Sequence, residues 1–355
     1  MVFFLNLIIS ILYSYAILKD TKGKPVTFPA FCLAYSPLVI IWLLICGGQY
    51  YVGSDYPSYI DIFNGRYIDR YEPGFIAIIK VCLSIGFKDQ ILYYLFYAIG
   101  FTFLFLSIYK SGIRHVFIFI LLYITITGLF NNQLNILRQA ISTYIATYGV
   151  VLYLKNLRRK GLVFIVLSSA IHYMGLITGM IVLTPLVLKF KPNILKLVVV
   201  VGVIGALILS ISYLNSILNI LPANYAYYLT EKKLDELSLL GKITKFILCP
   251  FYIWAIAYYD KMQLNSLQQK LFKWGIASFA LKLFLLNIPI LNRVGDFFVI
   301  ISIFPLYYLC SYFYNRKLKF KFYCMFFFCL FIYFVKTVVF PSAEYYYQSI
   351  YPTFF

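Results

Sequence analysis

The chain has 355 residues, of which 63% are hydrophobic and only 12% charged. A soluble domain carries about 25% charged and about 45–50% apolar residues, so a water-soluble globule is excluded. The formal charge of +19 comes from 31 Lys and Arg against 12 acids, and these cations fall in short loops between apolar runs. That is the positive-inside pattern of a membrane protein, so no nucleic-acid partner is expected.

The fold class that follows is all-α, a polytopic integral membrane protein. At about 20 apolar residues per crossing, the length allows roughly a dozen crossings. The whole chain, 1–355, reads as a single transmembrane domain with outer-face loops near 49–90 and 219–245.

Met1 to Leu18 is apolar and lacks the basic start of a signal peptide, so it reads as a retained helix. It begins outside and ends at the basic turn Lys19 to Lys24. Phe28 to Gly48 crosses back and delivers the stretch Gly53 to Phe75, GSDYPSYIDIFNGRYIDRYEPGF, to the outer face. This polar interruption holds Asp55, Asp61, Asp69 and Glu72 beside Arg66 and Arg70. Acids and arginines packed among tyrosines suit a binding or reacting loop, although a solvated connector would also look polar. Gly74 to Phe87 is too short to cross without strain and reads as an interfacial or re-entrant helix.

Ile91 to Tyr109 returns to Lys110 and Arg114, Val116 to Phe130 goes out, and Ile136 to Leu154 comes in to Lys155, Arg158, Arg159 and Lys160. Leu162 to Leu188 requires two short helices turning near His172, because one long helix would carry Lys189 and Lys191 outside. Ile194 to Leu218 leads to a second polar loop, Leu221 to Lys245, and Phe246 to Tyr259 returns. Leu271 to Leu286 goes out to Asn292 and Arg293, and Phe297 to Tyr314 comes in to Arg316, Lys317, Lys319 and Lys321. Phe322 to Phe340 goes out again and leaves the tail Pro341 to Phe355 external.

A charge within a membrane helix costs about 2.5–3.5 kcal/mol unless it snorkels or pairs. Arg138, beside Asn131, Asn132, Gln133 and Asn135, and Arg293, in NRVGD, stand at outer boundaries, and His172 lies within SSAIHYMGL. Each arginine could be a snorkelling anchor or a partner for Asp55, Glu72 or Asp296, and His172 a buried hydrogen-bonded histidine. Convergence favours chemistry: outer helix ends supply both arginines, the histidine and the loop carboxylates to one face. The seven cysteines lie singly in apolar runs and read as small core hydrophobes. With two histidines, no paired cysteines and no DxD-type pair, neither a metal nor another cofactor is expected.

GSDYPSY followed by YEPGF, LRQAIS, AIHYMGL and NRVGDFF resembles, in that order and over nearly the whole chain, the EpsG family. Matching positions are Gly53, Asp55, Tyr59, Glu72, Pro73, Gly74, Arg138, Gln139, His172 and Arg293. That family belongs with the Wzy-like O-antigen and exopolysaccharide polymerases. The resemblance implies a multi-helix enzyme of the bacterial inner membrane, similar in architecture to class C glycosyltransferases. It implies polymerisation of oligosaccharide repeats carried on undecaprenyl pyrophosphate at the periplasmic face, with membrane lipid, a chain-length regulator and a flippase as partners.

In such a reaction arginines stabilise the departing pyrophosphate and a general base takes the acceptor proton. Arg138 and Arg293 are assigned the first task, with Asp55, Glu72 and His172 as candidates for the second. Tyr59, Arg66, Arg70, Asn135 and Gln139 are assigned to substrate binding. The main rival is a flippase or transporter of the same lipid-linked sugar, which would more often show inverted repeats; none stands out. A ligase transferring finished polysaccharide has similar chemistry, and a membrane acyltransferase is disfavoured by the scarcity of histidine.

Overall fold

Apolar runs closed by a charge or a glycine become helices, and among the described residues there is no β-strand. The computed structural model describes residues 1–21, 26–208, 239–286, 289–341 and 346–351. It divides into two compact units, Met1–Ile181 with Cys310–Phe355, and Val182–Leu309. Among the described residues, four helices are long and apolar enough to cross a membrane, and six apolar helices are shorter.

The first unit opens with α1 (Val2–Asp20) and α2 (Phe28–Gly47). The loop expected at the outer face folds into α3 (Tyr56–Phe63), a 3₁₀ turn (Ile68–Arg70) and α4 (Pro73–Ser84). Then come α5 (Gln90–Ser111), α6 (Val116–Leu122) with a π-turn (Tyr123–Thr127), α7 (Leu129–Asn132), α8 (Leu137–Leu154) and α9 (Arg158–Ile171). Helix α8 is buried along most of its length, packed chiefly between α5 and α9. The expected spans Ile91 to Tyr109 and Ile136 to Leu154 therefore lie within two residues of α5 and α8. The expected span Val116 to Phe130 is interrupted: the π-turn and left-handed Gly128 (φ 69°) end it and start α7.

The contacts sort this unit into two ends. At one end Phe3 meets Tyr347 edge-on at 5.5 Å, and Tyr50 and Ile350 exchange backbone hydrogen bonds with Gln348 and Gly48. Gln90 binds the Gln49 carbonyl there at 2.9 Å. At the other end Lys155 Nζ donates to the Lys110 carbonyl, Phe28 meets Tyr109, and Phe117 meets Tyr314 and Phe322. The outer loop, residues 346–351 and the amino terminus thus share one end, and the basic turns share the other. Expectations for Lys22 to Pro25 and for Ser342–Tyr345 and Pro352–Phe355 of the tail lie outside the described residues.

At His172 the backbone is extended (φ −153°, ψ 118°), and α9 stops. A Cβ on Gly175 would lie 2.6 Å from Ser168 Oγ, whereas seven residues of continuous helix would separate the two by roughly 10 Å. The chain reverses there, as a hairpin requires. The returning arm is a 3₁₀ helix (Tyr173–Leu183) leading into α10 (Thr184–Leu188).

The second unit contains α10, α11 (Pro192–Ile208), α12 (Leu239–Ala257), α13 (Ser266–Phe284), α14 (Pro289–Asp296), α15 (Val299–Ser302) and the start of α16 (Phe304–Asn315). Helix α13 packs against α11, α10 and α15, with Trp274 Nε1 donating to Thr184 Oγ1 at 3.0 Å and a stacked Tyr252–Phe279 pair at 3.6 Å. Its start is fixed by a reciprocal capping box between Asn265 and Gln268, each side chain accepting the other's backbone N–H at 3.0 Å. Residues 209–238, hence most of the expected loop Leu221 to Lys245, lie outside the described residues. The return expected at Phe246 begins earlier, at Leu239, because Lys242 and Lys245 interrupt the hydropathy pattern without ending the helix. In the first unit the chain ends its last crossing with α17 (Lys319–Phe334) and a π-turn (Val335–Val339).

Candidate functional site

The site is assembled at the end of the first unit that carries the acidic loop and residues 346–351, where three chain segments meet the start of α8. Gly53 has φ 78°, and a Cβ there would stand 2.7 Å from Asn135 Oδ1. Only glycine combines that left-handed backbone with that approach. The same Asn135 oxygen accepts the backbone N–H of Asp55 at 2.9 Å and the Ser54 hydroxyl at 3.3 Å. One turn along α3, the Tyr59 hydroxyl accepts the Arg138 backbone N–H at 3.4 Å. Loop and helix are thereby pinned to each other on both sides of Asp55, whose own side chain stays exposed.

Glu72 is the N-cap of α4 and is 5% exposed. Pro73 fits the first helical position, where no N–H is needed. Gly74 follows because a Cβ would lie 2.8 Å from the Ala170 carbonyl and Cβ, so only glycine lets α4 abut the end of α9. One Glu72 oxygen takes Arg138 Nη1, and the other accepts the Tyr173 backbone N–H at 3.3 Å. The carboxylate thus ties α4, α8 and the His172 reversal together.

Arg138 is also held by aromatic rings, its guanidinium carbon 4.5 Å from the Tyr71 centroid and 5.6 Å from that of Phe75. A cation over such faces gains about 0.5–2 kcal/mol. Its Nε is buried and has no hydrogen-bond partner among the described residues. Burial pushes the Tyr59 phenol above its ordinary range, with nearby Arg138 pulling the other way and Asp55 adding to the rise. That phenol therefore stays protonated at neutral pH.

The Nδ1 atom of His172 accepts the Met174 backbone N–H at 3.3 Å. This assigns the proton of the neutral ring to Nε2. Gln139, just past Arg138, is buried, and its carbonyl accepts the Thr143 hydroxyl at 2.8 Å.

Asp55, Tyr59, Glu72, Asn135, Arg138 and the His172 turn are thus brought together, and Gln139 follows Arg138 on α8. Arg66 and Arg70 have other engagements, Arg66 with Asp61 at 2.9 Å and Arg70 over the Tyr67 ring at 5.4 Å. Arg293 lies on α14 of the second unit with its side chain exposed. Two residues further on, Gly295 passes so close to α13 that a Cβ would sit 3.2 Å from Lys282 Cβ, and Asp296 pairs with Lys282 Nζ. Lys282 was not among the expected site residues, although a lysine inside ASFALKLFLL carried the signal. Tyr71 was missed for the opposite reason: one tyrosine among 35 has no distinguishing mark.

A half-buried cation, a buried carboxylate and short broken helices thus meet at one end of a helical membrane protein. The chain belongs to the EpsG family, whose model matches residues 32–353, nearly its whole length. This is a family of Wzy-like polymerases. No curated protein and no solved structure matches the chain.

Proposed function

We propose that this protein joins undecaprenyl-pyrophosphate-linked oligosaccharide repeats into O-antigen, capsular or exopolysaccharide at the periplasmic face of the bacterial inner membrane. It does so as a metal-independent glycosyltransferase. The observation that carries the reading is the Arg138 guanidinium, fixed by Glu72 and two rings and retaining an unpartnered buried Nε. A preorganised, always-charged planar donor suits a pyrophosphate leaving group, whose negative charge grows as it departs.

The acceptor hydroxyl oxygen bonds the anomeric carbon of the growing chain while the bond from that carbon to the pyrophosphate oxygen breaks. Pyrophosphate keeps the electron pair, Arg138 stabilises it, and the hydroxyl proton passes to a base. Asp55 is the base favoured by the hydrogen bonding. It is exposed and held beside Tyr59, whereas both oxygens of Glu72 are engaged and His172 Nε2 carries a proton. In this reading Glu72 positions Arg138 and His172 donates to the substrate, with Tyr59, Asn135 and Gln139 lining the substrate path.

Chain-length distributions from Arg138→Lys, His172→Ala and Asp55→Asn variants, each at normal membrane abundance, test the assignment. Removing one such donor costs on the order of 3–4 kcal/mol, roughly a hundred- to thousandfold in rate. Normal polymerisation by Arg138→Lys would overturn the pyrophosphate role. Gene deletion should leave a surface glycan of one repeat unit, and loss of even that unit would favour the flippase.

A further inference from the structure

One cluster at the outer end is left unused by this chemistry. Tyr51 stands at φ 52° and is 58% exposed, and a bulky residue in the left-handed region is a genuine outlier. Glycine or asparagine would hold this backbone at lower cost. The ring is nevertheless anchored: Tyr50 meets Tyr51 edge-on at 4.7 Å, and both contact Tyr56, at 6.0 and 5.1 Å. Tyr56 is buried, stacks on Tyr93 at 5.3 Å and donates to Gln90 Oε1 at 2.9 Å.

The backbone beneath is fixed on both sides. Tyr50 N donates to the Gln348 carbonyl at 2.9 Å, and Gly53 is seated on Asn135. The result is a rigid pair of exposed rings standing on a buried one. The other exposed residues of the stretch are Ser54, Asp55, Pro57 and Ser58, not aliphatic side chains that a lipid surface would select.

We infer that Tyr50 and Tyr51 form a saccharide-stacking subsite that holds a sugar ring of the glycan next to Asp55. A pyranose presents a C–H face that an aromatic ring covers and hydroxyls that a carboxylate and a serine bind. A strained, preorganised ring lowers the ordering cost of that contact. The inference rests on the polymerase reading and adds to it the place where the polymer is gripped.

The test uses the full-length protein in detergent and oligosaccharide fragments released by mild acid from the cell's own polymer, with binding followed by saturation-transfer NMR. Tyr51→Gly removes the ring and relieves the backbone, so its thermal midpoint should equal or exceed that of the unaltered protein. Its fragment binding should weaken about threefold to tenfold, the measure of one aromatic contact, and its glycan should be shorter. Tyr51→Phe should keep both, and Tyr51→Asn, which also tolerates this backbone, should behave like Tyr51→Gly. Unchanged fragment binding by Tyr51→Gly and Tyr51→Asn overturns the subsite, whether or not their stability falls as that of a membrane-interface anchor would. Polymerisation by Arg138→Lys tests the pyrophosphate role and fragment binding by Tyr51→Gly, which needs no pyrophosphate, tests the subsite, so the two failures are read separately.

Discussion

At the scale of single residues, the outer end turns on one buried ion pair. The Glu72 side chain is 7% exposed and that of Arg138 21%, so each charge has lost most of its water. Removing one partner leaves the other buried and uncompensated, which costs about 3–5 kcal/mol, whereas removing both costs less. Glu72→Gln and Arg138→Gln should each lower the thermal midpoint strongly, and the double variant should fall well short of their sum. Additivity within about 0.5 kcal/mol in a double-mutant cycle would show that the pair is not a coupled unit. The separation of this pair, 66 positions, hides it from any local pattern. What the sequence does display is the requirement for it, since a lone arginine after NNQLNIL needs a carboxylate or a ligand. Lys282 within ASFALKLFLL displays the same requirement, met by Asp296, whereas Tyr71 over that arginine had no comparable signal.

Helices were legible where an apolar run was continuous, as in α5 and α8, because burial there overrides local propensity. Their interruptions were less so. The π-turn at Tyr123–Thr127 lies inside an unbroken apolar stretch, and the 3₁₀ arm after His172 has no helix-breaking residue at its start. Charge, not hydropathy, gave the hairpin away, through Lys189 and Lys191. A pH test belongs to the turn between α5 and α6. His115, against Tyr314 and Phe117, has its pKa lowered to about 4 by burial first and by Arg114 second, with Asn315 opposing. The ordinary value is 6.5, so the folded state prefers the neutral ring. Its stability is complete above that value and declines as pH falls from there towards 4. The loss is at most about 3 kcal/mol. Melting between pH 7.5 and 4.5 should show this decline in the unaltered protein and a flatter one in His115→Gln. Parallel curves would assign the acid sensitivity elsewhere.

For the whole molecule, the decisive quantity is the direction in which the first unit is inserted. Its two ends differ in charge: Lys19, Lys110, Arg114, Lys155, Arg158, Arg159, Arg316 and Lys319 gather at one, and the loop acids Asp55, Asp61 and Asp69 at the other. Short basic loops are retained in the cytoplasm, so we predict that the acidic loop and residues 346–351 face outward. The backbone pairing of Gln49 with Ser349 makes this a linked prediction, because the loop and the tail segment must lie on the same side. In a background freed of its seven cysteines, Asp69→Cys and Tyr346→Cys should both react with an impermeant maleimide in intact cells. Their side chains are exposed, so a missing signal cannot be blamed on burial. Arg159→Cys, in an exposed basic turn, should react only after the membrane is opened. Labelling of Arg159→Cys in intact cells would invert the unit and put Asp55 and Arg138 in the cytoplasm. Under the proposed function, exported repeats could not reach them there. Labelling of Asp69→Cys without Tyr346→Cys would instead break the pairing between loop and tail while leaving the outward site in place.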